Sequence, residues 1–208
     1  MPRKPQKPIR LLESVPSKVY ERLIIRYPYQ TNGDYAHAYH FAANRLAETF
    51  TGDAADDLIL LPFLTLYRQA FELQLKNVIH ALVNTRITYV DGREPELVNA
   101  LSDERLKQLG HNLYKLLNEV RKHYEALELG EAFPKEVERL VGMLHEADKS
   151  GTAFRYAGQL PHTQEHADFP DLAALFDEQY DSLSVIVDYV DGLYSAGPTL
   201  DDVMSDYC

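Results

Sequence analysis

Apolar residues recur every three to four positions along most of this chain, and the pattern is strongest over 61–82. There Leu64, Phe71, Leu75, Val78 and Leu82 line one face of a single long helix. Beside that stripe Arg68, Glu72 and Lys76 fall at successive i, i+4 positions, so they stack along one line of the same helix. Similar spacing predicts helices over 17–26, 35–50, 112–129, 135–149 and 171–194, with shorter pieces over 96–101 and 103–109. Asn32-Gly33, Asp91-Gly92, Gly110, Gly130 and Ser150-Gly151 punctuate these segments, and Pro62, Pro134 and Pro170 stand where helices begin. Strand-like alternation is confined to 153–156, so 152–169 reads as a short irregular or hairpin insertion. The fold class is all-α. Each amphipathic helix must bury its stripe against another, which predicts an antiparallel bundle of four to five helices.

At 208 residues the chain suits one domain with its own core. The expected organisation is a flexible basic tail over 1–16, one helical domain over 17–195 and an acidic tail over 196–208. No apolar run reaches the ~18 residues of a membrane span, and MPRKPQKPIR lacks the apolar centre of a secretory signal. Cys208 is the only cysteine, which excludes a disulfide framework and a thiolate zinc site. These features predict a cytoplasmic protein without membrane contact.

The net charge of −11 is unevenly spread. Residues 1–124 hold 17 Lys/Arg against 14 Asp/Glu, whereas 125–208 hold 4 against 18. Phosphate backbones are bound chiefly through basic groups, so a nucleic-acid contact is expected on the first portion.

The ladder Arg68–Glu72–Lys76 admits two structural readings and a functional one. On an open helix face such pairs contribute only about 0.3–0.5 kcal/mol each. Tyr67, Phe71 and Leu75 flank it, however, and predict partial burial, where charges must be paired. Gly110-His111-Asn112-Leu113 places a histidine at a helix start, where the dipole disfavours the imidazolium and suits a neutral hydrogen-bonding ring. Phe154-Arg155-Tyr156 is a compact aromatic and basic cluster, able to stack on a base or pair with phosphate, or to pack onto the helices. Metal readings are weak. His162-Thr-Gln-Glu-His166 has the spacing of an inverted zinc-peptidase motif, but Pro161 and Pro170 leave it barely two turns, and no third ligand is evident. His37 and His40 share a helix face, yet the chain lacks the paired Glu-x-x-His of a di-iron bundle, and a surface or interface role is expected for them. No metal and no cofactor is predicted.

The pattern YRQAFELQLK, then GHNLYKLL, then SGTAFRYA, resembles helical proteins of the HEPN superfamily (higher eukaryotes and prokaryotes nucleotide-binding) over about 63–156. The resemblance implies a bundle of four or five helices, a homodimer, and in many members a metal-independent ribonuclease of a toxin–antitoxin or phage-defence system. RNA and a cognate antitoxin or defence protein are the partners it implies. Catalytic members carry an arginine followed by four to six residues and a histidine, paired across the dimer. The histidine transfers the proton and the arginine stabilises phosphoryl charge. Arg105/His111, Arg139/His145 and Arg155/His162 have this spacing. Arg139 and His145 fall ~120° apart around one helix, and Gly158 and Pro161 interrupt the third pair. Arg105 and His111 end one helical piece and begin the next, so they are the expected catalytic pair, although Leu106 follows the arginine where the family carries a polar residue. Arg68, Glu72, Lys76 and Arg155 are the expected substrate-binding or orienting groups.

Overall fold

The computed structural model describes residues 30–156 and 166–205. The expected tail over 1–16, the expected helix over 17–26 and positions 162–165 of the His-x-x-Glu-His motif lie outside them. The described residues are helical, with no strand among them: α1 (Asn32–Ala47), α2 (Leu60–Thr85), α3 (Pro95–Ala100), α4 (Asp103–Leu109), α5 (Leu113–Glu125), α6 (Lys135–Ala147), α7 (Phe169–Tyr194) and α8 (Leu200–Ser205). A 3-10 turn (Ala54–Leu58) precedes α2 and a π-helical turn (Arg86–Val90) follows it. None of these helices is long and apolar enough to cross a membrane.

α2 is central among the described helices because it is apolar on most sides. It packs against α1, α5 and α7, while α6 packs against both α5 and α7. Phe63, Tyr67, Phe71, Leu75, Val78 and Leu82 are fully buried along it. An aromatic seam joins α2 to α7: Phe63 meets Phe169 and Phe176 at ring-centre distances of 5.0 and 5.6 Å, and Tyr67 meets Phe176 at 4.9 Å. Such tilted and edge-on pairs add about 0.5–1.5 kcal/mol each beyond the apolar area they bury.

Several helix ends differ from the expected ones, for local reasons. α1 starts earlier than residue 35 because Thr31 is its N-cap and Asp34 closes a reciprocal capping box. α5 stops at Glu125, short of 129, because Glu128 and Gly130 both adopt positive φ. The acidic C-terminal segment, expected as a tail, contains α8, whose start is held by hydrogen bonds exchanged between Thr199 and Asp202 at 2.9 and 3.2 Å. Residues 152–156 form turns and not a hairpin strand.

Candidate functional site

The polar ladder of α2 faces inward. Arg68 and Glu72 are buried, and Lys76 is nearly so. Their partners come from two distant connections. Gly110, with φ of 61°, turns the chain between α4 and α5, and Asn112 caps α5 by accepting from the Lys115 amide at 2.9 Å. That turn presents His111 to α2 from both ends of the residue. Its carbonyl accepts from Arg68 Nη2 at 2.7 Å, and its Nδ1 lies 2.8 Å from Glu72 Oε1. The second connection follows α6. Asp148, the C-cap of α6, is buried and places Oδ2 3.0 Å from Arg68 Nε, an ion pair without an aligned hydrogen bond. Its Oδ1 accepts from the amides of Thr152 and Ala153 at 2.8 and 2.9 Å. Gly151, with φ of 77°, brings the backbone so near that a Cβ there would stand 3.0 Å from Arg68 Nη2.

Glu72 is the hub. Its Oε2 accepts from Arg68 Nη1 at 3.1 Å, and its Oε1 accepts from Lys76 Nζ at 2.7 Å as well as facing His111. Burial alone would raise its pKa, but hydrogen bonding and charge from Lys76, then from His111, prevail and hold the carboxyl below its ordinary value. An ionised carboxylate only accepts hydrogen bonds, so His111 Nδ1 carries the proton toward Glu72. In the neutral ring Nε2 is then unprotonated. The His111 side chain is 72% exposed while the Glu72 side chain is 1% exposed, so a buried anion orients a histidine whose other nitrogen remains available.

Beside Arg68 lies a cleft of about 220 Å³ bounded by Tyr39, Gln69, Asp148, Gly151, Phe154 and Arg155, among others. Arg155 is exposed at its rim and donates to the Gly151 carbonyl. Phe154 is buried, as the packing reading of that cluster expects. Arg68 thus touches both the His111 backbone and the Gly151 turn that anchors Arg155.

Arg105 belongs to another network. It donates to Glu119 Oε2 at 2.7 Å, and Glu119 Oε1 stands 3.4 Å from His123 Nε2. His123 Nδ1 meets Arg86 Nη1 at 3.0 Å, and Arg86 Nε donates to Asp91 at 2.6 Å. His123 is fully buried, and burial, with further contributions from Arg86 and Lys122 against the opposing pull of Glu119, pushes its pKa down. Arg105 and His111 are therefore bound to different carboxylates. Arg139 pairs with Glu136 at 2.7 Å while His145 stacks near Tyr114, with ring centres 6.1 Å apart. His162 lies outside the described residues.

His40, expected in a surface or interface role, is not on the open surface. It is buried, stacks on Tyr180 with ring centres 4.0 Å apart, and contacts Asp177 Oδ1 through Nε2 at 2.7 Å. Asn44 Nδ2 donates to the same Asp177 oxygen at 2.6 Å, and the Tyr67 hydroxyl donates to Asn44 Oδ1.

Sequence reasoning missed Asp148, Glu119, His123 and Arg86. The Asp-Lys-Ser-Gly-Thr run after α6 carries an Asx-turn signature, and Glu119 and His123 sit four apart beside the apolar stripe of α5, so both signals were present. Comparison of the chain with protein-family models, with curated proteins and with solved structures gives no match.

Proposed function

We propose that this chain is a HEPN-like antiparallel bundle of four to five helices that binds and cleaves RNA without a metal ion. In this reading it is a cytoplasmic homodimer serving a prokaryotic defence or toxin–antitoxin system. The single observation that carries the reading is the pairing of buried Glu72 with exposed His111. A carboxylate that fixes the tautomer and direction of an imidazole is the arrangement by which histidines serve as general bases. His111 Nε2 removes the 2′-hydroxyl proton, and the freed oxygen attacks the adjacent phosphorus. The 5′-oxygen leaves with a proton returned to it, and in a homodimer the two copies of His111 divide the base and acid steps. Arg155, exposed at the rim of the cleft beside Arg68, supplies the cation that neutralises the phosphoryl oxygens. Arg68 and Lys76 are positioning residues acting through Glu72. Arg105, engaged by Glu119, supports the fold near the α4–α5 turn.

The test is incubation of the full chain with structured RNA in EDTA. Cleavage that persists in the chelator and is lost in His111→Ala supports the proposal, and unchanged cleavage in that variant removes His111 from the mechanism. A second reading, a non-catalytic helical scaffold or binding protein, is favoured by the near-complete pairing of Arg68, Glu72 and Asp148 inside the molecule. It predicts RNA or partner binding with no cleavage at all.

A further inference from the structure

A second group of chemistry-bearing side chains lies where α1 meets α7, away from the ladder of α2. We propose that His40, Asp177 and Asp181 bind one divalent transition-metal ion of the zinc class, with water completing its coordination. The three residues each offer a ligand atom, and these atoms all lie within 4.8 Å of one another. Asp177 and Asp181 are four apart on α7, so they share one face and meet the imidazole from a single side. Metal–ligand bonds of about 2.0–2.2 Å in a tetrahedral zinc site put adjacent ligand atoms roughly 3.3–3.6 Å apart. The 2.7 Å from His40 Nε2 to Asp177 Oδ1 is a hydrogen-bond length, and Asn44 Nδ2 lies 3.1 and 2.6 Å from the two atoms, so an ion enters as they separate by about 0.6–0.9 Å.

The groups behind the ligands hold them in place. Tyr180 lies against the His40 ring with an interplanar angle of 20°, which fixes its plane. The Tyr67 hydroxyl orients Asn44, and Asn44 in turn holds the Asp177 oxygen. Outer partners of this kind orient first ligands in metal sites.

The local charge also calls for a cation. Asp181 has no ion-pair partner among the described residues, and the only one of Asp177 is His40. The adjoining cleft, about 280 Å³ in volume, is bounded by His37, Asp181, Ser184 and Asp188 among others, and by no lysine or arginine among the described residues. It gives an ion and its waters a way in. One imidazole nitrogen with two carboxylate oxygens suits zinc or manganese better than magnesium, which prefers an all-oxygen shell.

Calorimetric titration of the full chain, stripped with EDTA and dialysed, tests this with zinc chloride and magnesium chloride as probes. The expected result is one saturable zinc per chain, with magnesium at least tenfold weaker. Asp181→Asn, at an exposed position that the fold does not depend on, and Asp177→Asn should each weaken zinc binding at least tenfold. His166→Ala, which disables the His-x-x-Glu-His segment, should leave it unchanged. Equal zinc uptake by both Asp variants, loss of binding in His166→Ala, or no saturable zinc binding by the wild type would overturn the site. In the last case the His40–Asp177 contact is a hydrogen bond and nothing more.

Discussion

Glu72→Gln removes one negative charge from the interior while changing the side-chain volume very little. In the wild type that charge faces Arg68, Lys76 and His111 at 3.1, 2.7 and 2.8 Å. The glutamine oxygen, in the place of Oε1, can still accept from Lys76 and His111. Its amide NH2 then points a donor at another donor, and Arg68 keeps only Asp148 as a counter-charge. Taking one partner from a buried pair costs about 3–5 kcal/mol, against about 0.3–0.5 kcal/mol for an open i, i+4 pair. At ~2–4 °C per kcal/mol for a chain of this size, the melting temperature should fall by roughly 6–20 °C. The assay is thermal and urea unfolding at pH 7, followed by helical circular dichroism. Because the folded pKa of Glu72 is depressed, its stabilisation is fully present above the ordinary value of 4.5 and is lost as pH falls through the folded value. The gap between wild type and variant should therefore be constant from pH 7 to about 5 and shrink below pH 4.5. A variant within about 0.5 kcal/mol of wild type at pH 7 would refute a buried network, since only solvated pairs are that cheap to lose.

Other perturbations separate the parts of the structure. Gly151→Ala should destabilise more than Gly52→Ala: both have positive φ, worth about 1–2 kcal/mol, but only at 151 does the new Cβ meet the Arg68 guanidinium, at 3.0 Å. Chemical denaturation of the two variants side by side is the measurement. Arg105→Ala leaves the buried Glu119 facing only His123, for a loss of about 1–3 kcal/mol, and in EDTA assays should retain far more RNA cleavage than His111→Ala. Tyr67→Phe deletes the hydroxyl that donates to Asn44. It should cost about 1–2 kcal/mol in urea unfolding, because the Asn44 oxygen is left without its donor.

The helices were largely readable because most are amphipathic and bounded by glycine or proline, as α6 illustrates with Pro134 before it and Gly151 after it. The ladder of α2 was readable as well, since i, i+4 spacing fixes neighbours within one helix. Which charges meet across helices was not. Asp148 reaches Arg68 through the loop that follows α6, and periodicity carries no information about where a loop folds back. Arg105 and His111 are six residues apart, yet the Gly110 turn sends them to different carboxylates: Glu119 on the next helix, and Glu72 on a helix nearly forty residues earlier. His40 reads as a surface or interface residue because its partners, Tyr180 and Asp177, lie more than a hundred positions away.

Nitrogen-15 NMR of the imidazoles at neutral pH, with the His111 signals assigned by their loss in His111→Ala, reads the decisive feature directly. If buried Glu72 aims this histidine for proton transfer, Nδ1 is protonated and hydrogen-bonded while Nε2 is the bare nitrogen. A His111 ring protonated at Nε2 with Nδ1 bare, or one that averages between both forms as in a solvated peptide, would contradict that arrangement and the chemistry proposed for it.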